Sequence, residues 1–320
     1  MESAQRSVAF GISCALGAAV FFSLNDLSIK FLSGGYPLHQ IVFLRALVAL
    51  SITVIFIVPL DGGWSALRAK RPWIHVVRGL CVVVANSAFF AGIAAMPLAD
   101  ASAIFFVAPL FITGLSALFL GEPVGLRRWL AVAVGLAGVI LVVKPTGASF
   151  TVVALLPVLA AAAYAGLQVL TRYTGMSERA STMSVYIQIT FLLVSGALAV
   201  GLGDGRFAGS DNDALEFFLR AWSWPDLKDG LIMLALGGIS ACAGYLIALA
   251  YRGTNAAIVA PFEYSALLLA VFWGIVIWQE WPTGTTWAGI ILIAGSGVYV
   301  AVREGRVGSK PSAKRVAGRR

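Results

Sequence analysis

Residues 256–280 read A-A-I-V-A-P-F-E-Y-S-A-L-L-L-A-V-F-W-G-I-V-I-W-Q-E, and the reading of the whole chain turns on them. The stretch is long and apolar enough for one membrane-spanning helix, which needs about 20 such residues. Yet Pro261 and Glu263 lie inside it. A carboxylate at that depth costs about 2–3 kcal/mol on insertion scales and normally faces a protein interior or a wet cavity. Pro261 has no N–H for the Ala257 carbonyl and its ring crowds that group, so the helix is predicted to kink or open there. Binding sites of broken-helix carriers combine such a freed carbonyl with a buried polar group. Glu263 is therefore the expected centre of a transport site, with Phe262 and Tyr264 on either side.

The composition agrees with a membrane setting. Of 320 residues, 59% are hydrophobic and 12% charged, with a mean hydropathy of +0.89. Hydropathy predicts ten spans, near 8–32, 40–59, 76–96, 100–120, 126–143, 152–173, 183–201, 229–251, 256–278 and 287–302. The first apolar run is too long for the core of a signal peptide and lacks a cleavage site before the second, so no cleaved leader is expected. Cys14, Cys81 and Cys242 are scattered through apolar runs, which argues against a disulfide framework and a thiolate metal site. His39 and His75 fall at span ends on opposite sides. No phosphate-binding glycine loop, nucleophile elbow or metal-ligand spacing is present. The expectation is no enzyme, no cofactor and no metal.

Ten spans put both termini on one side. That side carries seventeen basic residues, from Arg6 to the cluster after Val302, and the other carries five: Lys30, Lys144, Arg206, Arg220 and Lys228. Arg45 lies inside a span. The positive-inside rule places both termini in the cytoplasm. The basic tail, 303–320, is an orientation signal near anionic lipid rather than a nucleic-acid site. The long outer connection, 203–228, has Leu215, Phe218, Leu219 and Trp222 at helical spacing. An amphipathic helix at the interface is expected, with a lid as the lesser alternative.

The chain also repeats itself. L-G-E-P-V-G-L-R-R-W at 120–129 answers W-Q-E-W-P-T-G-T-T-W at 278–287, with glutamate and tryptophan seven apart in both. F-V-A-P-L-F around Pro109 answers I-V-A-P-F-E around Pro261, and Asp26…Lys30 answers Gln168…Arg172. Five spans in each half force the second copy upside down, which gives an inverted repeat. The domain reading is one five-helix unit over 8–145, a second over 151–302, and the tail.

These motifs resemble the drug/metabolite transporter superfamily, in its ten-helix branch with two tandem EamA domains. The resemblance covers about 8–302 and rests on Asp26 and Lys30, Arg45, A-P-L-F leading into L-G-E-P-V-G-L-R-R-W, and V-K-P at 143–145. It implies an all-α basket whose central cavity is lined by spans one, three, four, six, eight and nine, with five and ten as outer supports. Within the branch the chain looks closest to bacterial carriers grouped with S-adenosylmethionine or amino-acid transporters. The second copy departs from the L-G-E pattern, so roles are not transferred between spans four and nine.

The candidate substrate-contacting residues are Glu263, Tyr264, Phe262, Tyr245, Gln168, Tyr164, Asn86, Asp26 and Arg45, with Pro109 and Pro261 as broken-helix positions. Each has a bland alternative. Asp26 and Lys30, at i and i+4, either neutralise each other or serve the cavity. Arg45 either snorkels, pairs structurally with Asp26, or offers its fork to a substrate carboxylate, structural pairing being the leading reading. Asn86, Gln168 and Gln188 bridge helices or line the site, and Tyr164 shares a helix face with Gln168. Glu122 and Glu280 open the helices that follow them, favouring the positive termini. Gly135, Ala137, Gly138, Gly289, Gly295 and Gly297 are expected to pack helices closely.

The reading is a multi-pass inner-membrane secondary transporter of a small polar or amphipathic metabolite: amino-acid-like, zwitterionic or cationic. An acid among aromatic faces attracts a cation. Proton coupling through Glu263 or Asp26, exchange and facilitated diffusion fit equally, as do a monomer and a homodimer. The rivals are an exporter of drugs or excess amino acids on the same fold, and a non-transporting membrane sensor or scaffold.

Overall fold

The computed structural model describes residues 2–121, 125–143, 152–174, 178–253 and 262–308. Its main helices are α1 (Glu2–Leu32), α2 (Leu38–Ile52), α3 (Pro72–Ala95), α4 (Leu98–Phe105), α5 (Ala108–Leu120), α6 (Leu126–Val143), α7 (Leu155–Thr174), α8 (Ala180–Leu202), α9 (Asp213–Leu219), α10 (Leu227–Gly253), α11 (Ser265–Trp278) and α12 (Gly284–Gly308). No strand occurs among the described residues. Seven helices there are long and apolar enough to cross a membrane. The shorter apolar helices Trp129–Val143 and Ser265–Trp278, and α12, fall where hydropathy predicts the remaining spans. Large apolar side chains such as Leu118, Val200 and Ile291 stay exposed on the outside of the bundle, a surface suited to hydrocarbon.

Proline breaks the fourth span. Pro109 offers no N–H to the Phe105 carbonyl, and α4 ends at Phe105 while α5 starts at Ala108. The ninth span is interrupted too: Phe262 and Glu263 are helical, Tyr264 is a turn, and α11 begins at Ser265. There the Ser265 hydroxyl donates to the Phe262 carbonyl at 2.6 Å. Pro261, Ala257 and Glu122 lie outside the described residues. In the second span, Pro59 is accommodated by a π-helical stretch, Thr53–Ile57.

Helix α1 packs on α10 and α11, α3 on α7 and α8, and α2 on α8 and α10. Helix α5 packs on α7, α4 on α11, and α6 on α12. The α6–α12 seam is tight because its glycines face each other. A Cβ on Gly138 would come 2.9 Å from the Gly289 carbonyl oxygen, so the backbones meet directly. Gly297 makes room for the Tyr264 hydroxyl, which a Cβ there would overlap. Gly295 differs from expectation, since among the described residues nothing lies within 4 Å of the place a Cβ would occupy.

The long connection carries a short helix, as expected, and folds onto the end of the bundle. Asn212 caps α9, its side-chain oxygen accepting from the N–H groups of Ala214 and Leu215. The buried face is Ala214 and Phe217, while Leu215 is 54% exposed. The chain leaves the helix at Arg220, so Trp222 falls out of the helical register that the sequence suggests. It packs instead against His39 and Phe43, with ring centroids at 6.0 and 5.8 Å. Arg220 donates to the Ser33 carbonyl at 2.7 Å, and Gln40 pairs with the backbone of Ser223.

Candidate functional site

The candidate residues separate into a polar centre, an aromatic path, and two outliers. At the polar centre Arg45 is only 5% exposed, so it does not snorkel. Its Nη1 donates to Asn25 Oδ1 and its Nη2 to Asn86 Oδ1, both at 3.2 Å. Asn25 stands between Arg45 and Asp26, because its Nδ2 donates to Asp26 Oδ1 at 3.1 Å. Ser240 from α10 donates to the same Asn25 oxygen at 3.0 Å. The guanidinium lies 5.6 Å from the Phe90 ring centre and 5.0 Å from that of Phe191. Its Nε makes no hydrogen bond among the described residues. This is a cation held by amides and rings, with its acid one residue removed.

Lys30 corrects the local-pair reading. Its ammonium reaches past Asp26 to Glu280, at 2.8 and 2.9 Å from the two carboxylate oxygens. It also donates to the Met96 carbonyl at 3.1 Å and lies 4.9 Å from the Trp278 ring centre. Glu280 in turn accepts from the Leu98 N–H at 3.1 Å. The carboxylate therefore serves the positive end of α4, not the helix that follows it in sequence. The left-handed residue Gln279, φ 59°, turns the chain back so that the Glu280 N–H meets the Gly274 carbonyl.

The aromatic path starts where the polar centre stops. Phe90 tilts against Phe89 at 5.8 Å, Phe89 against Phe105 at 4.9 Å, and Phe105 against Tyr164 at 5.5 Å. From Phe105 a second branch passes through Phe106 to Tyr264, whose rings are 5.4 Å apart. Tyr164 is hydrogen-bonded with Gln168 and lies within electrostatic reach of Glu263, as Tyr264 does. A continuous line of rings thus joins the Arg45 guanidinium to the surroundings of the Glu263 carboxylate. The Tyr264 hydroxyl is buried with no hydrogen-bond partner among the described residues, a condition that costs about 1–3 kcal/mol.

Two candidates fall elsewhere. Phe262 turns away to pack beside Cys14, Ala15 and Ala250. Tyr245 is half-buried on α10 and takes no part in the ring path. Sequence reasoning passed over Asn25, Ser240, Phe105 and Phe106. Asn25 carried a signal, since it adjoins Asp26 in L-N-D-L, and Phe106 opens the F-V-A-P-L-F motif. Ser240 carried none.

The profile of the EamA-like transporter family matches residues 9–144. A riboflavin transporter of Rhizobium johnstonii is 30% identical over 297 residues, 92% of this chain and 92% of its own length. The chain belongs to the EamA-like transporter family. This EamA-like transporter is also 25% identical to an S-adenosylmethionine uptake transporter of Rickettsia bellii, across 97% of this chain and 99% of that protein. The pseudopaline exporter CntI of Pseudomonas aeruginosa is 30% identical across 88% and 93%. One solved crystal structure shares the fold with a TM-score of 0.61, at 20% identity over 94% of this chain and 99% of that one. The relatives bear transporter names over nearly their full lengths, and the EamA-like transporter described here is a multi-pass membrane protein that moves a small metabolite.

Proposed function

We propose that this transporter works by alternating access in the bacterial inner membrane, with both termini in the cytoplasm. Its cargo in this reading pairs a planar ring with a cationic or zwitterionic group. The observation that carries it is the buried Tyr264 hydroxyl, without a hydrogen-bond partner among the described residues, on a ring at a helix break that packs on Phe106 and lies within electrostatic reach of Glu263. A polar atom left without a partner in a buried ring lining suits a ligand group that arrives later. The charge bias of seventeen against five basic residues supports the orientation.

The packing pattern supports the two inverted units, 8–145 and 151–302. A two-fold that carries span one to six and three to eight turns the α1–α10 pair into the α7–α3 pair, and both pairs are present. It likewise turns α5–α7 into α11–α1 and maps α2–α8 and α6–α12 onto themselves, and all of these pack.

The names of the relatives supply the test compounds, S-adenosylmethionine and riboflavin. Purified protein in proteoliposomes should take up one of them above an empty-vesicle control, and the same compound should raise the melting temperature. A charged ring compound with no effect, beside a neutral one that is carried, would remove Glu263 as the cation partner. The exporter reading is supported by the pseudopaline exporter, and counterflow measured from both faces decides direction.

A further inference from the structure

The helix ends carry two largely buried polar latches, the Glu280 side chain being 25% exposed, that the ring path does not use, and both tie residues before position 145 to residues after 151. One is Lys30 with Glu280, sealed by the Met96 carbonyl and the Leu98 N–H. The other centres on Glu178, whose side chain is 3% exposed. It accepts the Lys70 N–H at 2.8 Å and lies 3.7 Å from His75 Nε2. Arg78 donates to His75 Nδ1 at 3.2 Å, which leaves the proton of a neutral ring on Nε2, facing Glu178. Arg78 also donates to Thr171 at 3.0 Å, and the His75 ring stacks on Tyr186 at 4.9 Å. Beside them the Asp61 carboxylate accepts the Ser181 N–H at 3.1 Å, and Arg179 donates to the Asp61 carbonyl at 2.9 Å.

Helix α3 fixes their separation. His75 lies in its first turn and Met96 just past its end, so the latches are about 30 Å apart at 1.5 Å per residue. They close opposite ends of the same bundle. Ion pairs and hydrogen bonds suit such seams because water can replace each partner when a seam opens, and a switch is the best-attested use of a buried pair.

We propose that Lys30–Glu280 and the Glu178–His75–Arg78 group are the two gates of the transport cycle, and that the structure holds both shut, as an occluded form. The inference rests on the alternating-access reading. An opening of α1 from α11 breaks the first gate, and an opening of α3 from α7 and α8 breaks the second. Each gate alone exposes its own seam.

Each seam has a reporter position. The Trp273 indole N–H donates to the Ser23 hydroxyl oxygen at 2.7 Å, and the pair lies seven residues before Lys30 along α1 and seven before Glu280 along the chain of α11. Cys81 lies one turn deeper than Arg78, 3.7 Å from where a Cβ on Gly166 would stand. Two single-cysteine chains are made: S23C with Cys14, Cys81 and Cys242 changed to Ser, and one that keeps Cys81 alone. Each is labelled in membrane vesicles with a hydrophilic maleimide. Glu280→Gln should speed labelling at the Ser23 position about tenfold without speeding it at Cys81, and Glu178→Gln should do the reverse. Conservative Glu178→Asp, which keeps the charge, should lie between, and melting curves confirm that each variant is folded.

Equal acceleration at both positions by either variant would mean loosened packing and overturn the proposal, as would unchanged labelling in folded variants. Labelling needs no substrate. Labels that respond as expected in a chain that carries neither compound refute the cargo reading and leave the gates. Intact uptake with unresponsive labels refutes the gates alone.

Discussion

Phe106 and Tyr264 touch, with ring centroids 5.4 Å apart, and each marks the point where its span loses helical continuity. Two interruptions from opposite halves of the chain thus meet inside the bundle. Irregular backbone at membrane depth is tolerated only where protein or a cavity surrounds it, so the two breaks shelter each other.

The break above Pro109 is open to a direct test. Pro109→Ala returns an N–H to the Phe105 carbonyl and lets α4 run into α5. Insertion and melting temperature should be kept or raised, while the uptake rate falls about tenfold if the break must flex. Uptake at matched expression checks this, and an unchanged rate makes Pro109 a packing kink.

Tyr264 combines a buried hydroxyl that has no hydrogen-bond partner among the described residues with a place in the proposed site wall. Tyr264→Phe removes a polar atom that pays a desolvation cost, so stability should hold or rise by about 1 kcal/mol. Affinity for the carried compound should fall about tenfold, the loss of one hydrogen bond. Parallel melting and binding measurements separate these effects.

Glu263 is the acid in reach of both tyrosines. Glu263→Gln keeps the shape and removes the charge. It should insert normally and bind a cationic compound weakly, with affinity that no longer varies with pH. Glu263→Asp should be intermediate. Identical affinities and pH profiles for wild type and Glu263→Gln return the residue to the scaffold.

Arg45 is buried among amides and rings, and its removal takes the donor from the Asn86 oxygen and one of two donors from the Asn25 oxygen. Arg45→Met should cost about 3 kcal/mol, the scale of a broken buried charge network. Arg45→Lys recovers only part, because an ammonium cannot span both amide oxygens as the planar fork does. Chemical or thermal unfolding in detergent reads the difference.

The outer connection has its own pH response. The N–H groups of Gly209 and Ser210 hold the half-buried Glu216 carboxyl below its ordinary range, with Arg220 as a lesser contributor. A depressed folded value means the tie is complete above about pH 4.3 and is lost as pH falls through the folded value. Hydrogen exchange at Gly209 and Ser210 should quicken in that acid window. Glu216→Gln should make it fast across the range once the intrinsic rate is corrected.

Much was legible because its physics is local. Hydropathy over 20 residues marks a span whatever lies beside it, and a proline breaks its own helix for want of its own N–H. The F-V-A-P-L-F motif pointed to the interruption at Phe106–Val107, whereas the break expected between Ala257 and Pro261 lies outside the described residues and the turn at Tyr264 was not anticipated. The connection 203–228 was harder. Its apolar spacing continued past Arg220, but the chain left the helix there, and Asn212 with Phe217 set the face that packs.

The sequence by itself determined an all-helical membrane transporter, the placement of its apolar segments and the presence of charges that must be sheltered. Only the tertiary structure decided who shelters them. Lys30 had Asp26 four residues away and took Glu280 from the far end of the chain; Arg45 had Asp26 in reach and took Asn25 and Asn86. A buried charge settles where the most partners converge, and at Glu280 that includes the Leu98 N–H and the Trp278 ring. Convergence of that kind depends on how distant helices pack, which no spacing along the chain records.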